Sequence, residues 1–294
     1  MIQQTICAHA KINLTLDVTG KREDGYHFVS MVMQSVGLHD VVTVSAHTGS
    51  GDIVVTTDQA ALPNDRSNLC WRAAEQFFAQ TGIVNDGVRV EVQKNIPIAA
   101  GMAGGSTDAA AVLFLLNRLY ETGLSQQQLC DIGLKLGADV PFCLCGGTML
   151  AEGIGEMLTR LPDAPSPIVL LCKPPVGVST PEIYRALDDC EIAKHPDTAA
   201  MQQAIADRDT VRMAQLLENV MQPVTARRRP EILKIRQIML DGGAMGSMMS
   251  GSGPTVFGLF SEQKAAEAVY HALKQTYPDT ILTDFSVSGL TEPH

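Results

Sequence analysis

A glycine-rich run that opens into an apolar segment is the strongest constraint in this chain. Ile96 to Val112 reads IPIAAGMAGGSTDAAAV. Gly101, Gly104 and Gly105 allow a positive-φ backbone that approaches a ligand closely. Asp108 to Tyr120 suits a helix whose first two turns are apolar on all sides. Such a helix must lie inside the protein. Ser106, Thr107 and Asp108 stand where its N-cap is expected. A helix N-terminus offers free N–H groups and a partial positive charge, which suits a phosphate; a hydroxyl there can also touch magnesium. Two readings stand on these residues alone: a tight loop over a buried helix, or a phosphate seat. The run is neither a Walker loop nor a Rossmann fingerprint.

The flanking sequence alternates strands and helices, an α/β pattern. Ile6 to Val18 reads as a half-buried strand of period two. Ile12, Leu14, Leu16 and Val18 are expected on one face, and Lys11, Asn13, Thr15 and Asp17 on the other. Lys21 to Gly25 is a polar turn. Val41–Ala46, Ile53–Thr57 and Gly87–Val92 read as strands and Asn68–Gln80 as a helix. Ser125 to Gln128 has the form of a capping box opening a helix that closes near Gly137. Pro141 to Leu150 reads as a strand. Pro162, Pro165 and Pro167 mark a boundary, which predicts domains over 1–160 and 161–294. Beyond it, strands over Ile168–Cys172, Thr255–Phe260 and Thr280–Val287 alternate with helices. One of these helices starts at Pro230 and ends at Gly242-Gly243.

A length of 294 residues is comfortable for two domains. The net charge of −10 argues against nucleic acid as a partner. The one basic run, Arg227 to Arg229, reads as a solvated cluster. Cys7, Cys70, Cys130, Cys143, Cys145, Cys172 and Cys190 fit no zinc spacing and are expected reduced. The longest dense apolar run, Ala109 to Leu116, is far short of the ~20 residues needed to span a bilayer. With no signal-like start, the expected location is the cytoplasm.

Three segments together resemble a known family. Pro97-Ile98-Ala99-Ala100-Gly101-Met102-Ala103-Gly104-Gly105-Ser106-Thr107 resembles the phosphate loop of the GHMP kinases. Ala10-Lys11-Ile12-Asn13-Leu14 resembles their first motif. Met249-Ser250-Gly251-Ser252-Gly253-Pro254 resembles their third. AKINLTLDVTGKREDGYHF (Ala10–Phe28) and GADVPFCLCGGTMLAEGIGE (Gly137–Glu156) resemble the branch that acts on a cytidine diphosphate sugar alcohol in non-mevalonate isoprenoid synthesis. Ala99, Ala100 and Ala103 stand where many relatives have glycine, and Ser247 where alanine is common. All are small, so the loops are expected to close.

The resemblance implies a two-domain fold: an N-terminal domain like ribosomal protein S5 domain 2, and a C-terminal ferredoxin-like α/β sandwich, with the active site between them. It implies ATP and Mg²⁺, ATP lying over Pro97 to Thr107. Asn68, Leu69 and Lys94 would line the adenine pocket, and Ser106 or Thr107 would touch the metal. Asp139, placed before Val140-Pro141 at an expected helix-to-strand junction, is implied as base or orienter for the acceptor hydroxyl. Lys11 would help orient that hydroxyl and offset charge on the transferring group. Asn13, Tyr26, His27 and Tyr184 would meet the substrate, the aromatic rings stacking on its pyrimidine. Gly251 and Gly253 would support the site floor, and Met248 and Met249 would pack. The partners implied are small molecules, for a monomer or a homodimer. Two other readings remain. A GHMP kinase for homoserine, mevalonate or a sugar would leave Tyr26, His27 and Tyr184 without a task. An inactive nucleotide-binding paralogue should have lost Lys11 or Asp139.

Overall fold

The structure, a computed structural model, describes residues 1–47 and 49–293. Its first half supplies strands β1 (Ile2–Lys21), β2 (His27–Ala46), β3 (Ile53–Thr57), β4 (Val88–Gln93), β5 (Thr148–Glu152) and β6 (Met157–Arg160). Among them lie helices α1 (Leu69–Thr81), α2 (Gly104–Leu119), α3 (Gln126–Leu134) and α4 (Asp139–Cys145). The second half supplies strands β7 (Ile168–Lys173), β8 (Glu218–Asn219), β9 (Gly246–Met249), β10 (Val256–Phe260), β11 (Asp279–Thr283) and β12 (Leu290–Thr291). Its helices are α5 (Thr180–Asp188), α6 (Thr198–Ala206), α7 (Thr210–Gln215), α8 (Gln222–Arg228), α9 (Glu231–Asp241) and α10 (Gln263–Lys274). No helix among the described residues is long and apolar enough to cross a membrane.

One sheet runs β12-β1-β2-β4-β3, with β5 and β6 continuing from β2 and the short β8 parallel to β1. The other runs β11-β7-β10-β9 and is antiparallel throughout. Numbered within itself, that order is fourth, first, third, second, with α9 and α10 packed on it; it is the expected ferredoxin-like arrangement. β1 takes residues 218–219 and 290–291 as neighbours, so late parts of the chain complete the first sheet.

β1 departs from the expected plain alternation. It is buried on both faces, with Lys11, Asn13, Thr15 and Asp17 all under 9% exposed. Its register on β2 shifts between His9 and Lys11 and again between Asn13 and Thr15. An extra residue at a bulge reverses which face the following side chains meet. Ile6, Ala8, Leu16 and Val18 therefore join the core built on α1 and α2, whereas Ala10, Ile12 and Leu14 join a second core with Met201, Met213, Met248 and Phe257. Ile12 and Leu14 do not share a face with Leu16 and Val18.

α2 is buried as its all-round apolarity demands, packed on β1, β2, α1 and α4. Leu113, Leu115 and Leu116 are fully enclosed, each contributing roughly 2 kcal/mol of burial. The capping box at Ser125 forms, Gln128 N–H bonding to its hydroxyl and Gln128 Oε1 accepting from Ser125 N–H. Pro141 to Leu150 is not a strand. Residues 139–145 turn as α4, and β5 begins only at Thr148, after Gly146 and Gly147 at φ 61° and 76°. Pro141 lies in the first turn, where its missing N–H breaks no helical bond.

Candidate functional site

A cleft of about 970 Å³ is lined by the glycine-rich loop, β1, the β1–β2 turn, the starts of α1, α4 and α5, and the loop between β9 and β10. Of the residues singled out above, Lys11, Asn13, Tyr26, His27, Asn68, Leu69, Lys94, Pro97 to Gly101, Ala103 to Ser106, Asp139, Tyr184 and Gly251 all line it. Met102 and Thr107 do not. Met102 is buried in the second core, and Thr107 is fully enclosed beside the Cys143 thiol. Of the two candidate hydroxyls, Ser106 is the one open to the cleft.

The helix start differs from expectation. α2 begins at Gly104, so Ser106, Thr107 and Asp108 lie within its first two turns and none caps it. The N-cap is Ala103, in the left-handed region at φ 59°, without a side-chain bond. Ala99 is also left-handed, at φ 52°. Two alanines of the loop thus hold a glycine-like backbone, at a steric cost on the order of 1 kcal/mol each. The loop is tied down on both sides. Lys11 N–H donates to Met102 O at 3.2 Å, and Ser250 Oγ donates to Gly101 O at 3.0 Å. At Gly101, φ is 73° and a Cβ would lie 2.5 Å from Ser250 O, which leaves no room for a side chain.

Lys94 is not a free group facing the cleft. Its ammonium bonds Asp40 and, at 2.6 Å, Asp108, with only 5% of its side chain exposed. Burial alone would lower its pKa, but the two carboxylates outweigh burial and raise it. Burial pushes the Asp108 carboxyl well up, Asp40 adds to this, and Lys94 opposes it. Asp108 Oδ1 is buried without a hydrogen-bond partner among the described residues. Asp40, on β2, also accepts from the N–H groups of Asn95 and Ile96 at 2.6 and 2.8 Å. It therefore fixes the chain just before the loop. Asn68 caps α1 through Cys70 N–H and donates to Pro63 O, so its amide is engaged within the protein.

Lys11 and Asn13 are joined by a 2.8 Å bond from Nζ to Oδ1, and Asn13 Nδ2 meets Met31 Sδ. Asp139 is the first residue of α4, not part of an extended junction; Val140 N–H bonds Gly137 O in a helical turn. The buried Cys143 thiol experiences both Asp139 and Lys11, and Tyr184 experiences Asp139. Burial first and then Asp139 push the Tyr184 phenol up to about 12.

Also lining the cleft, His27 stacks on Tyr184, with centroids 4.7 Å apart and planes 22° from parallel. Tyr26 is 62% exposed beside them. Asp188 bonds His27 Nε2 at 2.6 Å and Lys21 Nζ at 2.5 Å. Sequence reasoning missed Asp40, Asp188 and Lys21 as site-shaping groups, and read Asp108 as a helix cap where it is the partner of Lys94. It also missed Asn219, whose amide donates to Met249 O and Gly251 O and braces the β9–β10 loop.

Known proteins align with this arrangement. Residues 68–147 match the family model described as GHMP kinases N terminal domain, and 201–279 match GHMP kinases C terminal. A protein of Lachnoclostridium phytofermentans named 4-diphosphocytidyl-2-C-methyl-D-erythritol kinase is 48% identical over 91% of each chain. One of that name from Caldicellulosiruptor bescii is 46% identical, over 94% of this chain and 96% of its own. A crystal structure of 4-(cytidine 5'-diphospho)-2C-methyl-D-erythritol kinase superposes with TM-score 0.80 at 32% identity, covering 97% of this chain and 99% of that one. Homoserine kinase from Cytophaga hutchinsonii shares the fold at TM-score 0.76 and 20% identity, over 98% of this chain and 96% of its own.

Proposed function

The chain belongs to the GHMP kinases, in the family of the 4-diphosphocytidyl-2-C-methyl-D-erythritol kinases, and from that premise we propose how its cleft works. The γ-phosphoryl group of ATP passes to the 2-hydroxyl of 4-diphosphocytidyl-2-C-methyl-D-erythritol, giving ADP and the 2-phosphate. One observation carries this reading: the glycine-rich loop, the Lys11–Asn13 pair, Asp139 and the His27–Tyr184 stack line a single cleft.

Phosphoryl transfer depends mainly on positioning and charge stabilisation. The triphosphate lies along Pro97 to Ser106, where the N-terminus of α2 directs free N–H groups and its partial positive charge. Asp40 and Lys94 keep that loop in place from beneath. Ser106, an oxygen donor open to the cleft, fits a magnesium ion carried by the nucleotide, and it is the residue that would touch it. That ion, when bound, neutralises phosphate charge.

Asp139 orients the acceptor hydroxyl and takes its proton as the oxygen bonds to the γ-phosphorus. The bond to the bridging oxygen breaks and ADP leaves. The Lys11 ammonium, held by Asn13, faces the charge that develops on the transferring group. Tyr26, His27 and Tyr184 receive the cytosine, whose flat face suits stacking.

The deciding test is ATP turnover with the cytidine compound, homoserine and mevalonate as acceptors. Turnover is expected on the first alone. Turnover on homoserine or mevalonate but not on the cytidine compound rejects the assignment. So does ATP binding without turnover on any of them.

A further inference from the structure

Two thiols that the reaction leaves unused meet at the far end of the helix that carries Asp139. Cys145 is the last residue of α4 and Asp139 the first. Cys130 lies on α3, which packs directly on α4. Their sulfurs are 3.8 Å apart, within van der Waals contact. A disulfide would draw them to ~2.05 Å. Cys145 is partly exposed and Cys130 is buried.

The two thiols differ in acidity. The Cys130 hydrogen bond, aided by Arg160, holds the Cys145 thiol below its ordinary pKa, whereas the same bond and burial push Cys130 up. A low-pKa, accessible thiol beside a second cysteine is the arrangement of a redox-active pair. Three fully buried thiols are less readily ionised. Burial raises Cys143 and Cys70, and raises Cys172 to about 11.

We propose that Cys130 and Cys145 form a peroxide-responsive dithiol whose disulfide state slows phosphoryl transfer by shifting α4 and, with it, Asp139. The Cys145 thiolate attacks one oxygen of a hydroperoxide. The O–O bond breaks, leaving a sulfenic acid on Cys145 and an alkoxide or hydroxide that takes up a proton. The Cys130 sulfur then attacks the Cys145 sulfur. The S–S bond forms, and the hydroxyl leaves with the Cys130 proton as water. Two electrons pass from the thiols to the peroxide. A small thiol reductant restores both cysteines by exchange and is itself oxidised to a disulfide. Closing the gap pulls the C-terminal end of α4 toward α3. A misplacement on the order of 1 Å at a reacting group can cost ~100-fold in rate.

The test treats the full chain with equimolar hydrogen peroxide and maps its peptides without reduction. The expected product is one cross-linked peptide pair containing Cys130 and Cys145, with two thiols lost. Turnover should fall at least tenfold and return on reduction. Cys145→Ser should keep its turnover after peroxide and show no cross-link. Cys130→Ser should likewise keep its turnover and show no cross-link; if it folds poorly, Cys145→Ser alone decides. A pair that stays reduced while other cysteines oxidise overturns the proposal. So does a disulfide with full turnover, or direct passage of Cys145 to sulfinic acid. The cross-link and thiol count need no substrate, so their failure is distinct from failure of the reaction on which the turnover arm rests.

Discussion

The backbone N–H of Lys11 donates to the carbonyl of Met102 at 3.2 Å, so the first strand and the glycine-rich loop form one hydrogen-bonded unit. The side chain of Lys11 takes no part in that bond. Lys11→Met should therefore leave the loop in place and ATP affinity within a few-fold, while lowering kcat by ~100-fold or more. Steady-state kinetics with calorimetric titration of ATP separates the two effects.

Asp139→Asn should lower kcat by ~10²–10⁴ with ATP binding nearly intact. Near-normal turnover in this variant would remove the role assigned to Asp139.

Lys94→Met should destabilise the fold by about 3–5 kcal/mol, because it leaves Asp40 and Asp108 buried without their cation. The deficit should depend on pH. A buried carboxyl with a raised folded-state pKa favours the folded state at low pH, and that contribution is lost as pH rises through the raised value. Urea melts should thus show a larger deficit at pH 8 than at pH 5.

Asp188→Asn should raise KM for the cytidine substrate several-fold without changing KM for ATP, since it removes the carboxylate charge that holds His27 and Lys21. Hydrogen bonds from His27 and then Lys21 hold the Asp188 carboxyl below the usual carboxylate range. A depressed folded-state pKa contributes stability above the unfolded value and loses it as pH falls through the folded one. Melting curves of the two proteins should converge below about pH 4, from a gap of at most about 1 kcal/mol at neutral pH.

Ala103→Gly should raise Tm by about 1–3 °C, because glycine relieves the left-handed alanine at φ 59°. Gly101→Ala should do the reverse and raise KM for ATP, since its Cβ would meet Ser250 O. Scanning calorimetry and ATP kinetics on the pair check both signs.

Much of this was legible from the sequence. The apolar run after Gly105 demanded a buried helix, and α2 is one. The motifs around Lys11, the loop and Asp139 were legible because each carries its own spacing, and all three line one cleft. β1 was misread where period two broke: a bulge has no residue signature in Ile12 to Val18, yet it moves Leu16 to another core. Asp139 lines the cleft, but it opens a helix where a strand junction is expected, because a proline early in a helix looks the same as one before a strand. Asp40 and Asp188 were missed because each meets its partner across long sequence separations, where only the folded chain brings them together. Lys94, which the resemblance implies for the adenine pocket, has its charge claimed by two acids that are likewise brought to it only by the folded chain.

The neighbours of the Lys11 strand have a consequence for how the enzyme comes into being. Leu290–Thr291 and Glu218–Asn219 flank that strand, and they leave the ribosome long after it does. A nascent chain carries Lys11 from the start but lacks the two short strands that pair on either side of it along β1. The sheet around the Lys11 strand is therefore closed only late in synthesis.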